Sequence, residues 1–279
     1  MIVDAHQHVW DLDAADYPWL VPEYGPLYRT FQPEELVPQL ARAGVDRTVL
    51  VQAADSEADT RHMLGVATRF AYVAGVVGWV PLTRPDDAAR ALDELQRHPV
   101  VKGIRHLIHV EADPDWLLQP SVIESLQLLA DRDLTFEIPA VLPRHLEHVP
   151  VLAELVPGLR IAIDHLAKPP IKEKGWEPWA TLMRRAAEGP NVYAKVSGLN
   201  TAADFEAWTA DDLQPYVDHA VAWFGPNRLM FGSDWPVAIL AGDYQKVWDA
   251  TLQVLAGGSE ADRAAILGGT ANAFYRLGL

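Results

Sequence analysis

The chain has 279 residues, of which 49% are hydrophobic and 22% are charged, and its formal net charge is −15. A chain of this length can bury one substantial core, whereas so acidic a surface would repel phosphate groups, which proteins bind mainly through Lys and Arg. The chain contains no cysteine, which excludes disulfides, zinc–thiolate sites and a cysteine nucleophile. We therefore expect a partner that is neither nucleic acid nor an anionic membrane.

The first residues, MIVDAHQHVW, are acidic and polar where a secretory signal peptide needs a basic start and a long apolar run. No stretch of the sequence approaches the roughly 20 apolar residues of a membrane-spanning helix. These features predict a soluble, cytoplasmic protein. The sequence leaves open whether it forms a homo-oligomer.

Short apolar runs rich in β-branched residues recur along the whole chain. They are nearly continuous rather than alternating, which is typical of parallel strands covered on both faces. The runs are residues 2–5, 47–52, 72–80, 100–105, 135–138, 160–164, 191–196 and 228–231.

The segments between these runs carry helix signals. Pro33 begins one helical pattern that ends just before Gly44, Pro85 begins another, and Ser121 and Thr209 precede two more. Strands that alternate with helices predict right-handed βαβ units. About eight such units in a chain of this length favour a closed (β/α)8 TIM barrel over an open sheet. We predict a single barrel domain over residues 1–279.

Residues 10–32, after the first predicted strand, form the one long irregular segment, and it is rich in aromatic residues. A loop of this length is more often a binding loop or a lid than a passive connection. The alternative is that its aromatic side chains only plug the barrel mouth. The aromatic residues are Trp10, Tyr17, Trp19, Tyr24, Tyr28 and Phe31.

His6 and His8 stand at the end of the first predicted strand. Residues i and i+2 of a strand point to the same side, so both imidazoles can face one point at the barrel mouth. Neutral imidazole is the commonest metal ligand, and two converging rings suit a divalent ion. The pair alone is a weak signal, because such spacings often arise by chance.

Further polar residues lie where other predicted strands end. Barrel enzymes place their chemistry at the carboxyl ends of strands. His165 follows IAID, Asp234 follows MFGS, Arg105 ends VKGIR and Lys195 comes late in NVYAKV. Each could be an ordinary satisfied residue, but burying the whole set without a role would be costly. The set therefore indicates an active site.

Several motifs together resemble the amidohydrolase superfamily. They are DAHQHVW, KGIRH, IDHLAKP, YAKVSG, RLMFGSDWPV and the ending GGTANAFYRLGL. The resemblance runs nearly end to end and is closer to the amidohydrolase-2 branch, in particular to the sugar lactonases of the L-fuconolactonase and L-rhamnonolactonase group. GSDWP after an apolar strand, paired with the N-terminal DAHQHVW, is its most specific part.

The resemblance implies a TIM barrel with His6, His8, His165 and Asp234 around the reaction centre. In many superfamily members the paired histidines and the last-strand aspartate hold zinc or a similar ion, so the metal ligands would be His6, His8 and Asp234. Some lactonases of this branch work without a metal. We therefore expect one divalent ion, zinc before others, or none, and no organic cofactor.

The sequence also departs from the two-metal members of the superfamily. Lys195 belongs to the seventh predicted strand, whereas a carboxylated lysine would lie on the fourth, and the fifth strand offers Glu137 in place of a histidine. A two-metal site is therefore not expected.

The residue types suggest a lactonase mechanism. Asp234 would accept a proton from a water molecule that attacks a lactone carbonyl. The developing oxyanion would be stabilised by the metal ion or by His165. The expected substrate is a small molecule, most of all a sugar aldonolactone.

Seven residues are candidates for substrate contact. Arg105 and Lys195 could hold substrate oxygens. Three tryptophans could either stack on a sugar ring of the substrate or simply pack within the protein. Two histidines could either contact the substrate or lie on the surface. These five are Trp10, Trp176, Trp235, His106 and His109.

Two other functions stay open at this point. A metal-dependent decarboxylase, or another amidohydrolase, would use the same barrel, and a catalytically inactive barrel could act as a binding protein. The complete set of His6, His8, His165 and Asp234 argues against an inactive barrel. The remaining histidines, among them His145 and His148, are expected to be solvated on helices.

Overall fold

The computed structural model describes residues 1–279, and all eight predicted strands are present. They differ from the predicted runs by one or two residues at their ends. The third strand stops at Gly78 rather than at residue 80, because the Trp79 amide donates to Thr60 Oγ1 (3.0 Å) instead of to a neighbouring strand. The strands are β1 Val3–Gln7, β2 Arg47–Val51, β3 Val73–Gly78, β4 Val101–Arg105, β5 Thr135–Ile138, β6 Arg160–Ile163, β7 Val192–Val196 and β8 Leu229–Phe231.

One helix follows each strand, and two short helices complete the chain. Pro33, Pro85, Pro120 and Pro143 each occupy the first turn of a helix, where proline removes no intrahelical hydrogen bond. The helices are α1 Pro33–Ala43, α2 Glu57–Arg69, α3 Pro85–Leu95, α4 Pro120–Asp131, α5 Pro143–Leu155, α6 Trp179–Ala186, α7 Ala210–Phe224, α8 Tyr244–Val254, α9 Glu260–Ala264 and α10 Thr270–Tyr275.

The strands form one parallel sheet in the order β1 to β8, and backbone hydrogen bonds between the end of β1 and the segment directly after β8 close it. The Asp234 amide donates to the His6 carbonyl (2.8 Å), and the His8 amide donates to the Trp235 carbonyl (2.7 Å). The predicted single-domain (β/α)8 barrel is therefore confirmed. The same two bonds bring the catalytic candidates of β1 and β8 to one place.

The core has two parts. The larger one packs between the strands and the surrounding helices, and a smaller group inside the barrel includes Val3, Val49 and Met230 together with Phe274 of α10. Tyr275, also on α10, is buried and its hydroxyl donates to Glu137 in the barrel interior. The end of the chain thus supports the floor of the site. No helix has both the length and the apolar character needed to cross a membrane.

Residues 10–32 lie over the barrel mouth and are tied down at several points. Trp10 forms an antiparallel bridge with Phe31, and its indole donates to the Arg29 carbonyl (2.6 Å). The indole of Trp19 donates to the Ala53 carbonyl after β2 (2.6 Å). Only a short 3-10 segment, Pro22–Leu27, is regular. Hydrogen bonds and ring packing therefore hold this segment in place.

The expectation that His145 and His148 are solvated is wrong. Both lie on the inner face of α5, with only 2% and 1% of their surface exposed. His148 Nε2 is 2.9 Å from Asp115 Oδ1, in the long connection after β4. The helix pattern identified their element, but the packing of that connection against α5 buried them.

Candidate active site

A pocket of about 260 Å³ opens at the carboxyl ends of the strands. Part of its wall comes from residues 10–32, and the rest comes from the segments after β2, β4, β5, β6 and β8. Its lining residues are His8, Trp10, Trp19, Tyr24, Leu27, Ala53, Arg105, Leu107, His109, Pro139, Val141, His165, Lys168, Asp234 and Val237. The wall is largely apolar, whereas His8, His165 and Asp234 form a polar floor, with His6 buried directly beneath it.

Three predicted residues converge at this floor. His6 Nε2 and His8 Nε2 are 3.1 Å apart, and Asp234 Oδ1 is 3.8 Å from the first and 3.5 Å from the second. His165 Nε2 lies 3.9 Å from the same oxygen. All four residues are buried. The structure therefore brings together the four side chains that the sequence placed at the reaction centre.

The backbone of the site is close-packed and partly strained. Asp234 has a left-handed backbone with φ of 58°, which costs about 1–2 kcal/mol for a residue other than glycine. A Cβ on Gly232 would come within 2.6 Å of His6 Cβ. A Cβ on Gly198, whose φ is 57°, would come within 2.6 Å of Asp234 Oδ2 and 2.7 Å of His165 Nδ1. Glycine at both positions allows this approach.

Hydrogen bonds outside the centre orient two of the imidazoles. His8 Nδ1 lies 2.8 Å from the Val51 carbonyl, which can only accept, so Nδ1 carries the proton and Nε2 keeps its lone pair. His165 Nδ1 pairs with Ser197 Oγ at 2.9 Å. Such outer partners hold rings in a metal-binding or catalytic orientation.

Lys195 lies beneath the histidines, fully buried, and not in the pocket wall. Its Nζ is 2.5 Å from Glu137 Oε2, 3.2 Å from Asp164 Oδ1 and 3.0 Å from His6 Nδ1. The two carboxylates accept hydrogen bonds from the ammonium group, so its charge is already paired within the protein. The predicted contact of Lys195 with substrate therefore gives way to a supporting position under His6.

Arg105 does line the pocket, as expected of a substrate-binding residue. Two nitrogens of its guanidinium group already bind acceptors of the protein. Nη1 lies 3.0 Å from Asp164 Oδ2, and Nη2 donates to the Gln52 carbonyl. The buried cations Arg105 and Lys195 are thus matched by the buried anions Asp164 and Glu137. Asp234 has no Arg or Lys ion-pair partner within this group.

Burial and neighbouring charges shift the pKa values of the ionisable side chains at the pocket floor. Burial alone would raise the pKa of Asp234, but the neighbouring imidazoles and the charge of Lys168 hold it well below its ordinary value. Burial lowers the pKa of His165 to about 4. At neutral pH the floor therefore contains an anionic Asp234 beside a neutral His165.

Some of the other residues predicted to contact the substrate line the pocket, and some do not. Trp10 lines the pocket, and so does His109. Trp235 is buried behind the wall, with its ring 5.5 Å from that of Phe31. His106 and Trp176 are both absent from the lining.

His106 is held away from the pocket by its neighbours. It accepts from the Trp79 indole (3.1 Å), pairs with Glu111 (2.7 Å) and stacks on Trp116 at 4.0 Å. Trp176 belongs to an aromatic cluster near α6 and α7, where its ring lies 5.3 Å from those of Trp179 and Tyr216. Both side chains therefore pack against other residues of the protein and do not reach the pocket.

Sequence reasoning missed Asp164 and Lys168. Asp164 is buried and contacts Arg105, Lys195 and His6. The signal that could have found it is an acidic residue directly before His165 at the end of an apolar strand. Lys168 lies three residues after His165, in a turn whose conformation no local pattern predicts.

The residues at the floor fit a divalent metal ion. Tetrahedral zinc, with bonds of about 2.0–2.1 Å to nitrogen or carboxylate oxygen, separates its ligand atoms by roughly 3.3–3.4 Å. His6 Nε2, His8 Nε2 and Asp234 Oδ1 lie 3.1–3.8 Å apart. The donors are two imidazole nitrogens and a carboxylate whose charge no Arg or Lys pairs. These donors suit zinc and also other divalent ions.

His6, Asp164 and His165 form a second group with metal-ligand spacing. Lys195 Nζ already lies 3.2 Å from Asp164 Oδ1, and Arg105 Nη1 lies 3.0 Å from Oδ2. A second cation there would be repelled by both side chains. The geometry thus agrees with the expectation of at most one metal ion.

Comparison with known proteins places the chain in a family. The model of a family described as "Amidohydrolase" matches residues 3–277. The chain belongs to the amidohydrolase family. This amidohydrolase is also similar to two proteins described as L-fucono-1,5-lactonase. The one from Burkholderia ambifaria is 42% identical over 99% of this chain and 95% of its own length. The one from Burkholderia multivorans is 33% identical over 99% and 96%.

A solved structure supports the same relationship. The crystal structure of an amidohydrolase from Burkholderia multivorans with bound zinc superimposes with a TM-score of 0.92. It is 32% identical in sequence, and the match covers 99% of both chains. The resemblance to the amidohydrolase superfamily that the sequence motifs indicated is confirmed.

Proposed function

We propose that this amidohydrolase hydrolyses sugar lactones, most of all a six-carbon aldonolactone of the L-fucono-1,5-lactone kind. The observation that carries the proposal is the meeting of Asp234 with His8 and His165 at the floor of one small pocket, with His6 directly beneath them. Its volume of about 260 Å³ is just below the range of about 300–1,000 Å³ typical of ligand pockets and suits a monosaccharide-sized ring. The two L-fucono-1,5-lactonase relatives support the choice of substrate class.

The residues suggest how hydrolysis proceeds. Asp234 takes a proton from the attacking water, whose oxygen bonds to the lactone carbonyl carbon. The ring C–O bond then breaks, and the leaving ring oxygen receives that proton, so an open-chain hydroxy acid forms. Asp234 Oδ1 faces the imidazoles while Oδ2 lies toward Gly198. The carboxylate can therefore contact the histidines and the water at the same time.

Positive charge is needed where the carbonyl oxygen becomes an oxyanion. A divalent ion held by His6, His8 and Asp234 would supply this charge as a Lewis acid. Arg105 lines the pocket next to His6 and adds a fixed positive charge of the protein's own. The apolar wall from Trp10 and Leu107 excludes water from the rest of the substrate.

Hydrolysis of a panel of sugar lactones, followed by pH-stat titration, tests the proposal. We expect Asp234→Asn to lower kcat by about 10²- to 10⁴-fold, the contribution typical of a general base. Asp249→Asn, a matched change on the exposed side of α8, should leave kcat unchanged. No acceleration with any lactone, or near-normal turnover by Asp234→Asn, would contradict the proposal.

The alternative of a metal-dependent decarboxylase has no specific observation in its favour and stays a prediction. The cytoplasmic location and the absence of nucleic-acid partners also stay predictions, and the oligomeric state stays open. Measuring CO2 release with aromatic carboxylates in the presence of zinc or manganese would test the decarboxylase. Release of CO2 without lactone hydrolysis would replace the lactonase proposal.

A further inference from the structure

Lys168 is a cation in the pocket wall that the proposed chemistry leaves unused. It follows β6 and lines the pocket together with His165 and Asp234. Its Nζ donates to the Gly198 carbonyl (2.9 Å) and to Thr201 Oγ1 (2.6 Å), both after β7. An ammonium group has three donors. The third N–H of Lys168 has no protein acceptor and is available at the pocket.

The backbone that presents Lys168 is unusual. His165, Leu166, Ala167 and Lys168 all have positive φ, between 47° and 58°, although none is glycine. Each such residue costs roughly 1–2 kcal/mol. Strain of this kind persists only where the surroundings impose it, and it is common at ligand sites. Here the indole of Trp179 donates to the Leu166 carbonyl (2.6 Å), which helps to hold the turn.

The turn places an imidazole and an ammonium group in the same pocket wall. The other lining cation, Arg105, is engaged by Asp164 and the Gln52 carbonyl. The wall around Leu107, Pro139 and Val237 offers no charged donor. A substrate oxygen on the β6–β7 side therefore meets Lys168 as its charged hydrogen-bond donor.

We propose that Lys168 donates a hydrogen bond to a ring hydroxyl of the substrate and selects hydroxylated lactones over unsubstituted ones. This inference rests on the proposed lactonase function and names a specificity residue for it. A hydrogen bond from a charged group to a substrate hydroxyl changes affinity by about 10- to 100-fold. A lactone without hydroxyl groups gains nothing from this bond.

The competing interpretation is that Lys168 only ties the β6 and β7 segments together. Thr201→Val separates the two roles, because it removes one tether while leaving the ammonium in place. Lys168→Met removes both the tether and the donor. Lys168→Arg keeps a cation, and Lys168→Gln serves as a second neutral variant should the Met variant fail to fold.

The measurement is the ratio of kcat/KM for a hexono-1,5-lactone to kcat/KM for unsubstituted δ-valerolactone. We expect Lys168→Met to lower this ratio by about 10- to 100-fold, because any effect of the lost charge on Asp234 falls on both lactones alike and cancels in the ratio. Thr201→Val should keep the wild-type ratio, and Lys168→Arg should recover part of the loss. An equal loss on both lactones, or a Thr201→Val effect as large as that of Lys168→Met, would overturn the inference.

Calorimetric binding separates this inference from the proposed function. If the wild-type protein hydrolyses neither lactone, the function fails. Lys168 is then judged by whether Lys168→Met weakens binding of a hexonate more than binding of 5-hydroxypentanoate. Equal weakening of both, or no binding of either to the wild-type protein, refutes the role of Lys168.

Discussion

Gly198 shows how closely residue-level geometry and chemistry are linked in this site. Its left-handed φ and missing side chain let Asp234 and His165 meet over the β7 turn. Any Cβ there would displace the carboxylate or the imidazole, or both. A misplacement of about 1 Å at a catalytic group can cost on the order of 100-fold in rate.

We therefore expect Gly198→Ala to lower kcat by at least about 10-fold. The matched control is Gly257→Ala, because no atom lies within 4 Å of a Cβ at that position. Lactone hydrolysis and thermal unfolding measured on both variants provide the comparison. Equal activity of the two alanine variants would show that the close approach at Gly198 has no catalytic importance.

The metal site can also be tested one residue at a time. His8→Gln removes an Nε2 whose lone pair is set by the Nδ1 bond to the Val51 carbonyl. Loss of an outer partner of a ligand already costs about 10- to 100-fold in metal affinity, so loss of the ligand itself should cost more. Zinc titration should show this for His8→Gln and not for the exposed His98→Gln. Unchanged zinc affinity in His8→Gln would exclude the site.

The left-handed turn after β6 is the most informative element. Local propensity disfavours positive φ for Leu, Ala and Lys, so tertiary contacts impose the conformation. The Trp179 indole and the Lys168 side chain both anchor it. The turn therefore keeps a backbone conformation that is unfavourable for its own residues.

Glycine substitutions measure the free-energy cost of this backbone conformation. Ala91→Gly in α3 should cost about 1 kcal/mol, the ordinary cost of glycine in a helix. Ala167→Gly should cost less or stabilise the protein, because glycine adopts the φ of 58° without strain. Urea unfolding of the two variants gives the comparison. A larger loss at Ala167 than at Ala91 would show that the turn is not strained.

At the scale of the whole molecule, buried ionisable groups link stability to pH. Burial lowers the pKa of His145, His148 and His165, the last to about 4. Below a pH of about 6.5 the unfolded chain therefore binds more protons than the folded one, and stability falls. Burial raises the pKa of Asp4 to about 6, which acts in the opposite direction between pH 4 and 6.

Five histidines have a lowered pKa and four acidic residues have a raised one, so we expect the free energy of unfolding to fall as the pH is lowered from 7.5 to 4.5. His148→Gln should make this decrease shallower, whereas His98→Gln, at an exposed position, should not change it. Urea titrations across this range measure both slopes. A pH-independent free energy of unfolding in the wild-type protein would contradict the expected neutral state of the buried histidines.

The sequence by itself determined the barrel and placed at strand ends the four residues that meet in the structure. Apolar strand runs and helix signals are local, so they can be read without the fold, and HxH spacing and strand-end positions follow from the two-residue period of a strand. The same local logic placed His6, His8, His165 and Asp234 at one rim.

Only the tertiary structure decided which further side chains reach the pocket. Lys195 is drawn beneath His6 by Glu137 and Asp164, which lie on other strands, and Trp176 packs against α7 instead of facing the mouth. Lys168 enters the wall through a strained turn that long-range contacts maintain. Such positions depend on side chains far apart in the chain, and the free energy of their packing outweighs local preference.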